Sequence, residues 1–168
     1  IDNDHLDYFK NIDNIVASFK KYVKLLPSDG LLVVNADDAR CKEVAKECAA
    51  KTITYGIEND HANYIARNIH FDKNGFSSFD VYHNNFFWAT VKLSIPGLNA
   101  LSCIAVCNYY GLEREQIKDA LLKYTGAHRR FEYVGTYRGT NIYDDYGHHP
   151  TEIAATANAL KQKTYRQS

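Results

Sequence analysis

The run Tyr143-Asp144-Asp145-Tyr146-Gly147-His148-His149-Pro150-Thr151-Glu152 gathers acids and imidazoles at the end of an apolar-aromatic segment, just before a helix that Pro150 is suited to open. In open α/β sheets ligands bind beyond the carboxyl ends of strands, and helix N-termini favour anions. Two adjacent acids in that place suit a ribose hydroxyl, a magnesium shell or an amine. The competing reading makes Asp144, Asp145, Thr151 and Glu152 ordinary capping groups, and function is the stronger of the two. A second run, Asp2-Asn3-Asp4-His5-Leu6-Asp7, places carboxylates and an imidazole in one short stretch. Hard oxygens suit magnesium and the imidazole can add a nitrogen, although spacing alone favours a solvated loop whose aspartates cap the next helix. Arg129-Arg130 follows Gly126 and His128. Guanidinium forks grip phosphate oxygens in pairs, so this is either a phosphate clamp between domains or a surface salt-bridging pair, evenly balanced.

What is missing narrows the chemistry. The chain has no G-x-x-x-x-G-K-[ST] phosphate loop, no glycine-rich dinucleotide fingerprint and no G-x-S-x-G elbow. By itself it is not expected to cradle a triphosphate. Lys plus Arg number 20 against 20 Asp plus Glu, so the field of a nucleic-acid binder is absent and no nucleic-acid partner is expected. Apolar runs such as Leu31 to Val34 fall far short of the ~20 residues of a membrane span, which predicts a soluble chain without membrane insertion. Its 4 cysteines include no C-x-x-C pair. Cys41 and Cys48 fall on the apolar stripe of one predicted helix and Cys103 and Cys107 in another, so buried free thiols in a reducing cytoplasm are expected rather than disulfides or zinc. The chain opens at Ile1 and contains no Met, which reads as an internal piece of a longer protein.

The elements that must position these residues follow from periodicity. Ile12, Ile15, Val16, Phe19 and Val23 mark an amphipathic helix ending at Pro27-Ser28-Asp29-Gly30. Leu31 to Val34 reads as a strand buried on both faces, followed by capping oxygens in Asn35-Ala36-Asp37-Asp38 and a helix with Cys41, Val44, Ala45 and Cys48 inward. Thr52 to Tyr55 is a further strand. Helix, strand, helix, strand is the rhythm of a parallel sheet with crossover helices. Ile65 to Phe71, Phe79 to Tyr82 and Trp88 to Leu93 then alternate as an antiparallel meander, with turns at Asp72-Lys73-Asn74-Gly75 and His83-Asn84-Asn85. Helices are predicted from Leu98 to Tyr110, capped by Gly111, and through Ile117, Leu121 and Tyr124. Two strands, Glu132 to Tyr137 and Thr140 to Tyr143, and a last helix running uncapped to the chain end belong to a second domain. The boundary falls near Ala127 to Arg130, giving domains 1–128 and 129–168.

Five of these runs together resemble the Mur ligase family: Asp4-His5-Leu6-Asp7, Leu31 through Asp38, Leu98-Asn99-Ala100-Leu101 after Pro96-Gly97, Gly126 through Glu132, and Asp144 through Glu152. The last is highly specific, and the match spans nearly the whole chain. The resemblance implies an α/β protein: the later part of an ATP-binding central domain, then the beginning of a Rossmann-like C-terminal domain. The phosphate loop and a glutamate metal ligand would lie upstream. It further implies that ATP phosphorylates the carboxylate of UDP-N-acetylmuramate and that the amine of L-alanine attacks the acyl phosphate, a cytoplasmic step of peptidoglycan synthesis. A tripeptide-recycling ligase of the same family and a non-enzymatic nucleotide module are the alternatives. Position by position, the family's pattern makes His5 a magnesium ligand and Asn99 a contact to the nucleotide base. Arg130 and Asp145 would reach nucleotide from the hinge and the third domain, and His148 and His149 would orient the amine or the intermediate. One departure stands out. A short His-Asn segment usual between the family's Pro-Gly and the residue matching Asn99 is missing, so either residues are omitted between Gly97 and Leu98 or part of the adenine site is lost.

Overall fold

The computed structural model describes residues 1–72, 75–95 and 99–164. Gly97-Leu98, the expected break, and the uncapped end of the last helix lie outside the described residues, as does the centre of the turn at Lys73-Asn74.

A short helix α1 (Leu6–Phe9) precedes α2 (Ile12–Val23), which Asn11 caps by accepting the Asn14 amide at 3.0 Å. The opening aspartates therefore do not cap α2. Of the predicted face only Ile15 and Val23 are buried, and Phe19 stays 43% exposed. Strand β1 (Leu31–Asn35) leads through Asp38, whose carboxylate accepts the amides of Arg40 and Cys41, into α3 (Ala39–Ala45). Strand β2 (Lys51–Gly56) lies parallel to β1 from Leu31↔Lys51 to Asn35↔Tyr55. Strand β3 (Tyr64–Phe71) is also parallel to β2, but shares only Tyr55↔Tyr64 and Gly56↔Ile65 with it. So small an overlap needs no helical crossover. Asp37 holds the connecting loop instead, its carboxylate accepting the amides of Ile57, Glu58 and Asn59 at 2.8, 3.2 and 2.8 Å.

Strands β4 (Ser77–His83) and β5 (Phe86–Lys92) add antiparallel to β3, so one sheet in the order β1-β2-β3-β4-β5 carries both the parallel pairs and the meander. Its core gathers Tyr64, Phe79, Val81 and Val91 with Leu101, Ile104 and Ala105 of α4 (Ala100–Tyr109) and Ile117 of α5 (Arg114–Lys123). Each fully buried aliphatic or aromatic side chain of this kind stabilises by about 1.5–3 kcal/mol, which fixes α4 over the sheet. Tyr64, 1% exposed, satisfies its hydroxyl by accepting the Asn108 amide at 2.7 Å. Helix α4 ends as the sequence predicts: Gly111 takes φ 80°, and the Leu112 and Gly111 amides bond the carbonyls of Cys107 and Asn108.

Two expectations are corrected. Among the described residues β1 stands at the end of the sheet order, and of its apolar run, expected to be buried on both faces, only Val34 is buried. The four cysteines are free, but none is fully buried and Cys103 is exposed. Helix α3 stops before Cys48, and α4 is apolar all round, so packing rather than composition selects its inner face.

Beyond α5 the backbone turns through Gly126 at φ 107°, then Arg129 at φ 58° and Phe131 at φ 52°. Strands β6 (Glu132–Tyr137) and β7 (Thr140–Asp144) pair as an antiparallel hairpin separate from the main sheet, followed by α6 (Pro150–Thr164), which opens at Pro150. Among the described residues no helix is long and apolar enough to cross a membrane.

Candidate functional site

The opening loop, before α1, meets the start of α6. Thr151 donates its hydroxyl to Asp2 Oδ2 at 2.9 Å, and His149 Nε2 lies 2.8 Å from the Asn3 carbonyl oxygen. Together with the Asn3 amide, the Thr151 hydroxyl holds the Asp2 carboxyl below its usual range. Next to this contact Asp4 Oδ2 is 3.7 Å from His5 Nε2 and 4.0 Å from His148 Nε2. One ligand atom each from Asp4, His5 and His148 can be chosen so that all lie within 4.8 Å of one another. A carboxylate oxygen with two imidazole nitrogens is a donor set that a divalent ion can use, and magnesium would fill its remaining positions with water or phosphate oxygens. His5 itself takes φ 51°, a left-handed conformation that turns the chain out of the loop into α1.

The second cluster lies at the hinge. Asn99, Arg130 and Asp145 line one cavity of about 670 Å³ together with Cys103, Tyr124 and Glu152. Asn99 stands at the N-cap of α4, yet its side chain makes no capping bond. Asp145 holds the hinge: its Oδ2 accepts the Phe131 amide at 2.8 Å and its Oδ1 the Gly147 amide at 2.6 Å. A Cβ on Gly147 would come within 2.7 Å of Asp145 Oδ1, so a glycine lets the loop close round the carboxylate. Arg129 and Arg130 set their guanidinium carbons 4.8 and 5.9 Å from the Tyr146 ring centroid, within cation–π range. The Tyr146 amide donates to the Arg129 carbonyl at 2.8 Å. Glu132 accepts the Arg129 amide, which lowers its carboxyl from the usual range, and the His128 ring adds to the effect. Arg129 thus braces the hinge while Arg130 lines the cavity.

A third space, of about 580 Å³, is lined by His5, His149 and Glu152 with apolar Phe9, Phe19 and Tyr22. Glu152 lines both this space and the hinge cavity, and its Oε2 accepts the amides of His148 and His149 at 3.3 and 3.5 Å. The fold thus brings His5 to His148 and His149, and Asn99 to Arg130 and Asp145, with Glu152 between the two groups. Sequence reasoning singled out neither the Asp2–Thr151 contact nor the bracing role of Tyr146. Glu152 stood out as the end of the most specific run and as a capping acid, but not as a wall shared by two cavities.

Comparison with known proteins matches two stretches of the chain. Residues 1–107 match the Mur ligase middle domain, and residues 129–168 match the Mur ligase glutamate ligase domain. A UDP-N-acetylmuramate–L-alanine ligase of Clostridium beijerinckii is 44% identical over 174 residues, covering 100% of this chain and 37% of that protein. One of Clostridium acetobutylicum is 46% identical over 165 residues, covering 96% of this chain and 36% of its own length. This chain therefore spans little more than a third of those relatives. Among solved structures, the UDP-N-acetylmuramate-alanine ligase MurC of Thermotoga maritima is 26% identical with a TM-score of 0.76, covering 97% of this chain and 37% of that one. MurF of Acinetobacter baumannii, 21% identical, superposes with a TM-score of 0.82 over 96% of this chain and 36% of its own, a likeness of fold.

Proposed function

Because the chain belongs to the Mur ligase family, we propose that it forms the later central domain (1–128) and the start of the C-terminal domain (129–168) of an ATP-dependent ligase joining L-alanine to UDP-N-acetylmuramate. The observation that carries this reading is the identity of 44% and 46%, across essentially the whole chain, to ligases of that name. The geometry supports it, since the two residue groups that phosphoryl transfer requires stand on either side of Glu152.

In this reading one carboxylate oxygen of the muramoyl group attacks the terminal phosphorus of ATP, and ADP leaves. The alanine nitrogen then attacks the acyl carbon, the bond from that carbon to the phosphate oxygen breaks, and the amine gives up a proton. Phosphoryl transfer is largely positioning and charge neutralisation. His5 and Asp4 would hold magnesium, with His148 within reach of the same position. The ion supplies neutralisation of the phosphate oxygens when bound. Arg130 adds a fixed positive charge from the hinge, Asn99 would contact the nucleotide base, and Asp145 fixes the hinge peptide while lining the cavity it shares with Asn99 and Arg130, where the ribose would be held. His148 orients the incoming amine, and His149 supports it from the next position. The chain by itself contains no phosphate loop, and we expect it neither to bind ATP tightly nor to turn over. The reaction belongs to the cytoplasm, where ATP and the nucleotide sugar are supplied.

The test is phosphate release by the complete ligase with ATP, magnesium and UDP-N-acetylmuramate, comparing L-alanine with the stem tripeptide. Release with L-alanine is expected. Release only with tripeptide would make this a recycling ligase, and release with neither would leave a non-enzymatic nucleotide module.

A further inference from the structure

Asp2 and Asn3 are 149 and 146 residues from their partners Thr151 and His149, so their contacts join the two ends of the described chain across the seam between the family's two domains. We propose that His149 and Thr151 form a latch that sets the distance between the metal loop and the C-terminal domain, and that they act as positioning residues. This rests on the ligase reading above.

The carbonyl of Asn3 can only accept, so the proton of the His149 ring sits on Nε2, the nitrogen 2.8 Å away. Nδ1 is then an acceptor, and the Thr151 amide donates to it at 3.3 Å. Both ring nitrogens are therefore committed: one to the opening loop, the other to the first turn of α6. The His149 side chain is only 18% exposed, so this half of the latch is largely shielded from competing water. The other half is the Thr151 hydroxyl on the Asp2 carboxylate. Asp2 also brings a negative charge to the positive end of α6, which favours the same docked position. Asp4 and His5 directly follow the loop half of the latch, and His148 directly precedes the helix half. The latch accordingly fixes how far His148 stands from Asp4, 4.0 Å in this structure, and with it whether the three groups share one position.

The experiment uses the complete ligase with paired substitutions. Thr151→Val keeps size and removes the hydroxyl, whereas Thr151→Ser keeps the hydroxyl. His149→Phe removes both ring partners, whereas His149→Gln keeps a donor near the Nε2 position. Losing one such bond is expected to lower kcat about threefold to tenfold, with KM for ATP within about twofold, while Thr151→Ser stays near wild type and His149→Gln retains more of the rate than His149→Phe. Small-angle scattering with ATP present is expected to show the Thr151→Val and His149→Phe proteins as more extended than wild type. Because a phenylalanine at 149 could impair folding, Thr151→Val against Thr151→Ser decides the case. Equal kcat for that pair, or identical scattering profiles for Thr151→Val and wild type, would overturn the latch while leaving the ligase intact. Failure of the wild type to release phosphate would instead remove the ligase reading, and the scattering comparison would still decide the latch.

Discussion

Replacing Asp145 by Asn separates the hinge geometry from the fold. The carboxylate spends both oxygens on backbone amides, Oδ2 on Phe131 at 2.8 Å and Oδ1 on Gly147 at 2.6 Å. Asparagine offers one acceptor oxygen, and its amide would point a donor at a donor on the other side. One hydrogen bond to a charged group is lost, about 1.5–3 kcal/mol. The hinge is already held in an unfavourable backbone state, with Arg129 at φ 58° and Phe131 at φ 52°. Each left-handed residue costs about 1–2 kcal/mol, so the lost bond is comparable to the strain it restrains, and the peptide carrying Arg130 is free to relax. At 1.4 kcal/mol per factor of ten, kcat/KM for ATP in the complete ligase should fall about tenfold to a hundredfold. The core of Tyr64, Phe79, Val81, Val91, Leu101 and Ile104 includes no hinge residue, so the melting of the central domain should be unchanged. The assay is steady-state phosphate release beside thermal melting followed by circular dichroism. A loss under threefold, or a collapse of the melting transition in step with activity, would refute the hinge argument.

Three further outcomes are expected. His5→Ala should lower turnover and raise the magnesium concentration needed for half-maximal rate, with excess magnesium restoring part of the activity; an unchanged magnesium dependence would remove the ligand role. Arg130→Ala should cost a hundredfold or more in kcat/KM (roughly 3 kcal/mol) at constant melting temperature, whereas Arg129→Ala, which loses the stacking on Tyr146, should act mainly through stability. Away from the site, burial against Tyr64, whose ring stacks at 4.3 Å, pushes the His83 imidazole below its usual pKa. The unfolded chain then takes up a proton on His83 before the folded one does, so its contribution to stability is complete above about pH 6.5 and is lost as the pH falls toward the folded value. Urea unfolding at pH 8 and pH 5 should show a smaller acid loss for His83→Gln than for wild type; equal losses would contradict the assignment.

Much of this arrangement could be read from the residues because local chemistry decided it. The alternation from Ile65 to Leu93 specifies an antiparallel meander, Gly111 specifies the end of α4, and Pro150 opens α6 where a proline belongs. The same reading buried β1 on both faces, since an apolar run does not say what covers a strand; among the described residues only Val34 of that run is buried. It buried Cys103 because α4 is apolar on every side, and only packing against the sheet chooses Leu101, Ile104 and Ala105 as the inner set. Asp37 looked like a helix cap but holds the loop at residues 57–59, some 20 residues downstream. The Asp2–Thr151 and Asn3–His149 contacts bridge nearly the full chain, and no periodicity encodes a pairing at that range. Asp145 and Arg130 stood out by type, but their shared cavity with Asn99 exists only once the hinge has turned.

The central claim is that this chain belongs to a ligase that activates a carboxylate as an acyl phosphate. The most direct measurement follows ¹⁸O from the muramoyl carboxylate of UDP-N-acetylmuramate during turnover of the complete ligase with ATP, magnesium and L-alanine. Transfer of one labelled oxygen into the released phosphate is the predicted result. Phosphate that carries no label while the amide forms would contradict the account.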